Sequence, residues 1–167
     1  HLPDYQQEMY KKYELTKKDY IDLREYCNKL GIIFFASVWD EENADLLEEV
    51  GGVCFKVGSA DITHLPLLAH IAGKMKPIIL STGMATMDEI HEAVNVINTE
   101  GNNKIILLHC VSGYPTNIEE SNLRLIQTLA KEFQYPIGFS DHTIGPFSSV
   151  GAVALGATVI EKHFTID

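Results

Sequence analysis

The chain is short of cysteine, of positive charge and of long apolar runs, and each shortage removes a class of protein. Its three cysteines, Cys27, Cys54 and Cys110, are odd in number and far apart, so no disulfide framework is implied; buried thiols in a reducing compartment, the cytoplasm, are expected. No apolar stretch reaches the roughly 18 residues of a membrane span. The amino end, HLPDYQQEMYKKYEL, lacks the hydrophobic centre of a signal peptide. Thirteen basic residues against 23 acidic ones give a net charge of -10, which on average repels nucleic acid and anionic membranes. A small anionic substrate is still allowed, because a few local cations or a metal reverse the field inside a pocket. No G-x-G-x-x-G loop follows the first strand pattern, which argues against a dinucleotide-binding open sheet.

What is present suits a packed domain: 167 residues, 46% hydrophobic and 22% charged. β-branched runs bounded by Gly, Pro or polar residues predict strands at Ile32–Ser37, Val53–Gly58, Ile78–Ser81, Ile105–Cys110, Ile137–Ser140 and Thr158–Phe164. Every gap leaves room for a helix. Thr16 with Asp19 forms a capping-box pattern ahead of a stripe of Tyr20, Leu23, Cys27 and Leu30, with Gly31 as the stop. Thr86 with Glu89 repeats it ahead of Ile90, Ala93, Val94 and Ile97, and Asp40 caps a third helix ending near Gly51. The acidic side chains from Asp40 to Glu49 are expected on a solvated helix face.

Strands that are apolar throughout, alternating with amphipathic helices, predict an α/β protein with a parallel sheet. Polar residues close nearly every strand, which favours a barrel. A full (β/α)8 TIM barrel takes about 250 residues, so six βα units predict an incomplete one, two units short. The start at His1 without methionine and the stop at Asp167 straight after a strand pattern likewise predict a segment of a longer protein.

In a barrel the carboxyl ends of the strands converge. The ends here carry Ser37, Lys56, Ser59, Ser81, Thr82, His109, Ser112, Ser140, Asp141, His142, Glu161 and His163, a mixture suited to a phosphorylated ligand and a metal. His142 and His163, on successive strand ends, are the metal candidates, hydrogen bonding within the rim being the alternative. His109 lies deeper in IILLHC, where a satisfied core histidine fits better than a ligand. Lys56, inside VCFKVGS, is costly to bury without an anion, which a ligand, Asp61 or Glu161 could supply. Glu161 and Asp61 suit proton transfer or sugar binding, against a plain salt bridge to Lys56 or Lys162. The serines are weak signals singly and stronger as a set around helix amino termini. His1, His64, His70 and His91 have no such setting and are expected at the surface or on helices.

Five stretches, FKVGSADITHLPLL, PIILSTGMAT, LLHCVSGYPT, IGFSDHTIG and GATVIEKHFTID, resemble in order and spacing the sialic acid synthase family, with its relatives that make legionaminic acid, pseudaminic acid and spore-coat polysaccharide precursors. The resemblance runs from about Leu15 to Asp167 and is more specific for the family than for one sugar. It implies a phosphoenolpyruvate-dependent barrel in which residues 1–167 supply the third to eighth strands of a single catalytic domain. Beyond it such proteins carry an antifreeze-like domain, absent here, and act as homodimers. By position, Lys56, Ser59, Ser81, Ser112 and Ser140 fall where the family holds the phosphate and carboxylate of phosphoenolpyruvate. His142 and His163 fall on its metal-binding histidines, and Tyr114, Asp61 and Glu161 on positions near the sugar and the reacting carbons. SAD in place of S-G-E, VWD in place of T-P-F-D, and Ser112 in place of asparagine leave the acyl sugar open.

The activity implied is condensation of phosphoenolpyruvate with an N-acylated sugar aldehyde, such as N-acetylmannosamine, to a sialic-type acid and phosphate. A divalent metal, Mn2+ or Mg2+, and an assignment of Glu161 to general acid or base work complete the expectation. Another phosphoenolpyruvate aldol-type synthase, a metal-dependent lyase, or a non-catalytic piece of such an enzyme are the alternatives.

Overall fold

The structure is a computed structural model and describes residues 12–166; His1 lies outside them. Six strands, β1 (Ala36–Ser37), β2 (Phe55–Val57), β3 (Ile78–Ser81), β4 (Ile105–Cys110), β5 (Ile137–Asp141) and β6 (Val159–Lys162), form one sheet. They pair in chain order, all parallel. A sequential order without reversal is the wall of a barrel rather than a doubly wound sheet, and six strands make an incomplete (β/α)8 barrel, as expected.

The helices are α1 (Lys17–Leu30), α2 (Glu41–Glu49), α3 (Leu65–Gly73), α4 (Met87–Thr99), α5 (Leu125–Glu132) and α6 (Phe147–Ala154). Both capping boxes form: Thr16 accepts from the Asp19 amide and Thr86 from the Glu89 amide, and each acid returns to its cap. Gly31, at φ 72°, ends α1 in the left-handed conformation that glycine adopts without steric cost. Asp40 accepts from the Asn43 amide at the start of α2.

Alternation along the strands divides the side chains into two layers. Phe55, Val57, Ile78, Leu80, Ile105, Leu107, Ile137 and Phe139 face the helices and meet Leu47, Leu67, Leu68, Ile71, Ile90, Ala93, Ile97 and Ile126 in the core. Their neighbours in sequence, including Lys56, Ser81, Cys110 and Ser140, take the other face, and all four are buried. Apolar burial behind the sheet, at roughly 25 cal/mol per Å², thus fixes a polar row in front of it.

Two expectations change at the sheet edge. The first strand shortens from Ile32–Ser37 to Ala36–Ser37, because among the described residues β1 has only β2 to pair with, over two residues. Ile32 and Ile33 are exposed. In α1, Tyr20 and Ile21 pack partly against the core while Leu23 and Leu30 are exposed; an edge helix has neighbours on one side alone. The acidic face of α2 is solvent-exposed as expected, with Asp45 58% and Glu49 63% exposed, and part of it is ion-paired. Asp45 and Glu48 pair with Lys74, Glu48 also reaches Lys76, and Glu49 pairs with Lys17. Among the described residues, no helix is long and apolar enough to cross a membrane.

Candidate active site

At the carboxyl ends of β1, β2, β5 and β6 lies a cleft of about 240 Å³ lined by Ser37, Lys56, Ser140, His142, Glu161 and His163, with Lys162 at its edge. Lys56 is its base. The side chain is only 8% exposed, and its ammonium donates to Ser81 Oγ at 2.8 Å and to the Val57 carbonyl at 3.0 Å. Glu161 Oε2 stands 3.8 Å away. Burial pushes the Lys56 ammonium below its ordinary range, and the nearby Glu161 carboxylate opposes that. The lysine therefore finds its counter-ion in Glu161, while Lys162 pairs with Asp141 instead, at 2.9 Å.

Register explains the next contact. Ser140 stands opposite Glu161 in the β5–β6 ladder, and its hydroxyl donates to Glu161 Oε1 at 2.6 Å. His142 Nδ1 donates to the Val111 carbonyl at 2.7 Å, which in the neutral ring puts the lone pair on Nε2, 3.3 Å from Ser140 Oγ. With the serine proton committed to Glu161, Ser140 Oγ keeps its lone pairs toward Nε2, which in the neutral ring also carries one. That is a place for an electrophile. His163 stands beside it, the two imidazole centroids 5.5 Å apart, and Tyr114 packs on both, at 4.1 Å from His142 and 5.8 Å from His163.

Two imidazoles, one oriented by a backbone carbonyl, offer in their neutral form the donor set and the supporting contact that a first-row divalent ion uses. Among the described residues, no three His, Cys, Asp or Glu side chains gather into a metal cage. The pair fits an ion whose other positions are filled by water or substrate oxygens.

A second group sits deeper along the rim. Ser59 Oγ accepts from the Gly83 amide at 3.0 Å and lies 3.0 Å from Cys110 Sγ. A Cβ placed on Gly83 would come within 2.7 Å of Cys110 Sγ and 2.9 Å of both Ser59 Oγ and Ser112 Oγ, so only glycine lets these three side chains converge on the backbone. Asp61 follows in a single 3-10 turn. Its Oδ2 is buried without a hydrogen-bond partner, and burial pushes its carboxyl up, against the pull of His64 and Lys56. An unpartnered buried oxygen invites a ligand donor.

The structure thus joins Lys56, Ser81, Ser140, Glu161, His142, His163 and Tyr114 directly, and sets Ser59, Ser112 and Asp61 on the adjoining stretch of rim. His109 is not part of the site. It points to the helix side, where its Nε2 donates to the Ser121 carbonyl at 2.8 Å and its ring stacks on Phe139. His70 and His91 pair with Asp45 and Glu132, and His64 is exposed. Sequence reasoning overlooked Cys110 and Gly83 and gave Lys162 no role in the site. For Lys162 the signal was available, since residue 162 follows Glu161 at the strand end.

The family model described as the NeuB family matches residues 2–167. The chain belongs to the NeuB family. It is 43% identical over 166 residues to the N,N'-diacetyllegionaminic acid synthase of Legionella pneumophila, a match covering 97% of this chain and 47% of that protein. It is 38% identical over 160 residues to the pseudaminic acid synthase of Helicobacter pylori, covering 96% and 47%. The crystal structure of N-acetylneuraminic acid synthetase from Leptospira borgpetersenii serovar Hardjo-bovis, solved in complex with citrate, superposes with a TM-score of 0.90 at 42% identity, covering 92% of this chain and 54% of that one. This NeuB chain spans about half the length of the curated relatives it matches. These three relatives are synthases of N,N'-diacetyllegionaminic, pseudaminic and N-acetylneuraminic acid.

Proposed function

We propose that this NeuB chain carries the phosphoenolpyruvate-binding and metal-binding half of a synthase that joins phosphoenolpyruvate to an N-acylated sugar aldehyde and releases phosphate. The observation that carries the reading is the buried Lys56 ammonium, which shares one cleft with Glu161 and with the paired imidazoles of His142 and His163. A desolvated cation facing a cleft favours an anion there, and an oriented pair of imidazoles can supply lone pairs to a cation next to it.

In this reading Lys56, Ser81 and Ser140 hold the phosphate and carboxylate of phosphoenolpyruvate, and Ser59 and Ser112 extend the anion site along the rim. Their contribution is orientation. His142 and His163 hold the divalent ion, Mn2+ or Mg2+, which when bound supplies Lewis-acid polarisation of the sugar aldehyde oxygen. C3 of phosphoenolpyruvate forms the new bond to the aldehyde carbon, whose oxygen takes up a proton. Water adds to C2 and loses one proton, which balances the one taken up by the aldehyde oxygen; the C2–O bond to phosphate then breaks as the remaining C2 hydroxyl proton leaves with the phosphate, giving the keto acid. Glu161, bonded to Ser140 and close to Lys56, is the group placed to move the water's proton. Tyr114 and Asp61 lie where the sugar would sit.

The remaining two barrel strands, an antifreeze-like carboxy-terminal domain and a homodimer partner complete the enzyme in this proposal, and a cytoplasmic setting suits its substrates. The test is phosphate release from phosphoenolpyruvate across a panel of N-acyl sugars, with His142→Ala alongside. Release that needs both an N-acyl sugar and added Mn2+, and that His142→Ala abolishes, supports the reading. Release without an N-acyl sugar, or a His142→Ala protein with unchanged metal dependence, overturns it.

A further inference from the structure

The rung of the β5–β6 ladder that follows Ser140 and Glu161 pairs Asp141 with Lys162. By alternation these two side chains take the helix side of the sheet, behind the cleft. Each immediately precedes a histidine of the site, Asp141 before His142 and Lys162 before His163. The ladder ends at this rung, so beyond it both strands leave the sheet with the imidazoles still to be placed.

The pair is held from several directions. Asp141, whose side chain has no solvent exposure, accepts at Oδ1 from the Thr143 amide at 2.8 Å and the Thr143 hydroxyl at 2.7 Å. Its Oδ2 accepts from Ser149 on α6 and from Lys162 Nζ, the latter at 2.9 Å. Lys162 Nζ also donates to the Thr143 carbonyl at 2.8 Å. One ammonium therefore ties the β6 end to both the side chain before His142 and the backbone after it. On the opposite flank the Thr116 amide donates to the His142 carbonyl at 3.0 Å, which anchors that loop to the β4 side. The carboxylate is buried and the ammonium partly exposed, so desolvation of Asp141 and screening of Lys162 both limit what the pair adds to stability. It does impose a geometry.

The structure assigns Asp141 and Lys162 a positioning role: as an ion pair behind the sheet with its carboxylate buried and its ammonium partly exposed, they set the distance and angle at which His142 and His163 face one another. This deepens the proposed function and rests on the reading of the two histidines as metal ligands. Supporting contacts behind metal ligands commonly change affinity by about 10–100-fold. Lys162 also edges the cleft, so direct contact with the bound anion is the rival role, and the experiment separates the two.

The variants are Lys162→Met, Lys162→Arg and the double variant Asp141→Asn with Lys162→Met; the double variant removes the stranded buried carboxylate and keeps the test open if Lys162→Met alone does not fold. Three readouts are taken on the intact protein: proton NOEs among the rings of His142, His163 and Tyr114 without metal, Mn2+ affinity by electron paramagnetic resonance, and phosphate affinity. Lys162→Met and the double variant are expected to lose the NOEs from His163 to the other two rings and to weaken Mn2+ binding about 10–100-fold. Lys162→Arg should keep both. In a His142→Ala background the Lys162→Met effect on Mn2+ should shrink to little, because the lysine acts through the pair. Ring NOEs that survive in Lys162→Met, or a loss confined to phosphate affinity, overturn the assignment. If the unaltered protein takes no Mn2+ while Lys162→Met loses the NOEs, the metal reading falls and the positioning role stands.

Discussion

Ser140 and Glu161 face each other across the β5–β6 ladder, and the serine hydroxyl donates to the carboxylate at 2.6 Å. This bond uses the only proton Ser140 has, and so determines which lone pairs are left to face the space beside His142. Ser140→Ala removes it without altering the backbone. Glu161 then loses its donor, and phosphate release is expected to fall about 10–100-fold, within the range of a positioned acid or base group. Stability should drop by only about 1 kcal/mol, the usual net worth of one hydrogen bond. Steady-state kinetics beside a urea melt checks both, and an unchanged rate would remove Glu161 from the proton-transfer role.

Lys56 is held below its ordinary range chiefly by burial. An anion beside it favours the charged form and raises its pKa again. Phosphate or phosphoenolpyruvate binding should therefore take up protons in the alkaline range below the free-lysine value of 10.5. Calorimetry in buffers of differing ionisation enthalpy reads that uptake directly. Lys56→Met should abolish the uptake and weaken anion binding at least tenfold, a loss of about 1.4 kcal/mol or more.

Gly83 has no room for a methyl group. A Cβ would stand 2.7 Å from Cys110 Sγ, so Gly83→Ala forces Ser59, Cys110 and Ser112 apart. Overpacking of this kind costs about 1–3 kcal/mol. Thermal denaturation should show the loss, and phosphate affinity should fall with it because two anion-site serines are displaced. A variant of full stability and affinity would show that the three side chains are not jointly constrained.

His109 is pushed below its ordinary value of 6.5 by burial, with the Ser121 bond opposing only in part. Its folded form is neutral, so between the folded value and 6.5 the unfolded chain binds more protons. Stability then rises with pH across that window and is lost as pH falls through it. Urea midpoints measured between pH 7.5 and about pH 5 should decline, and His109→Gln should flatten that decline at some cost in packing against Phe139.

Much of this could be read before any coordinates. Capping boxes at Thr16 and Thr86 are local devices, satisfied within one turn, and both appear in the structure. The stripe Ile90, Ala93, Val94 and Ile97 is buried as its spacing requires, and β3 and β4 begin and end as their apolar runs do. Failures cluster where long-range partners decide. Among the described residues, Leu23 and Leu30 have helical spacing but stay exposed at the sheet edge, and Ile32 and Ile33 have strand composition but no strand to pair with.

The sequence by itself determined the α/β class, the parallel alternation and the set of polar residues at the strand ends, because these follow from periodicity and capping chemistry within short windows. Which of those residues touch was decided by tertiary structure alone. Strand register put Ser140 opposite Glu161 and Asp141 opposite Lys162, and the curvature of the sheet carried Lys56 from β2 to within 3.8 Å of Glu161 on β6. Contacts between groups about a hundred residues apart depend on how the wall of the barrel closes, and no local pattern encodes that distance.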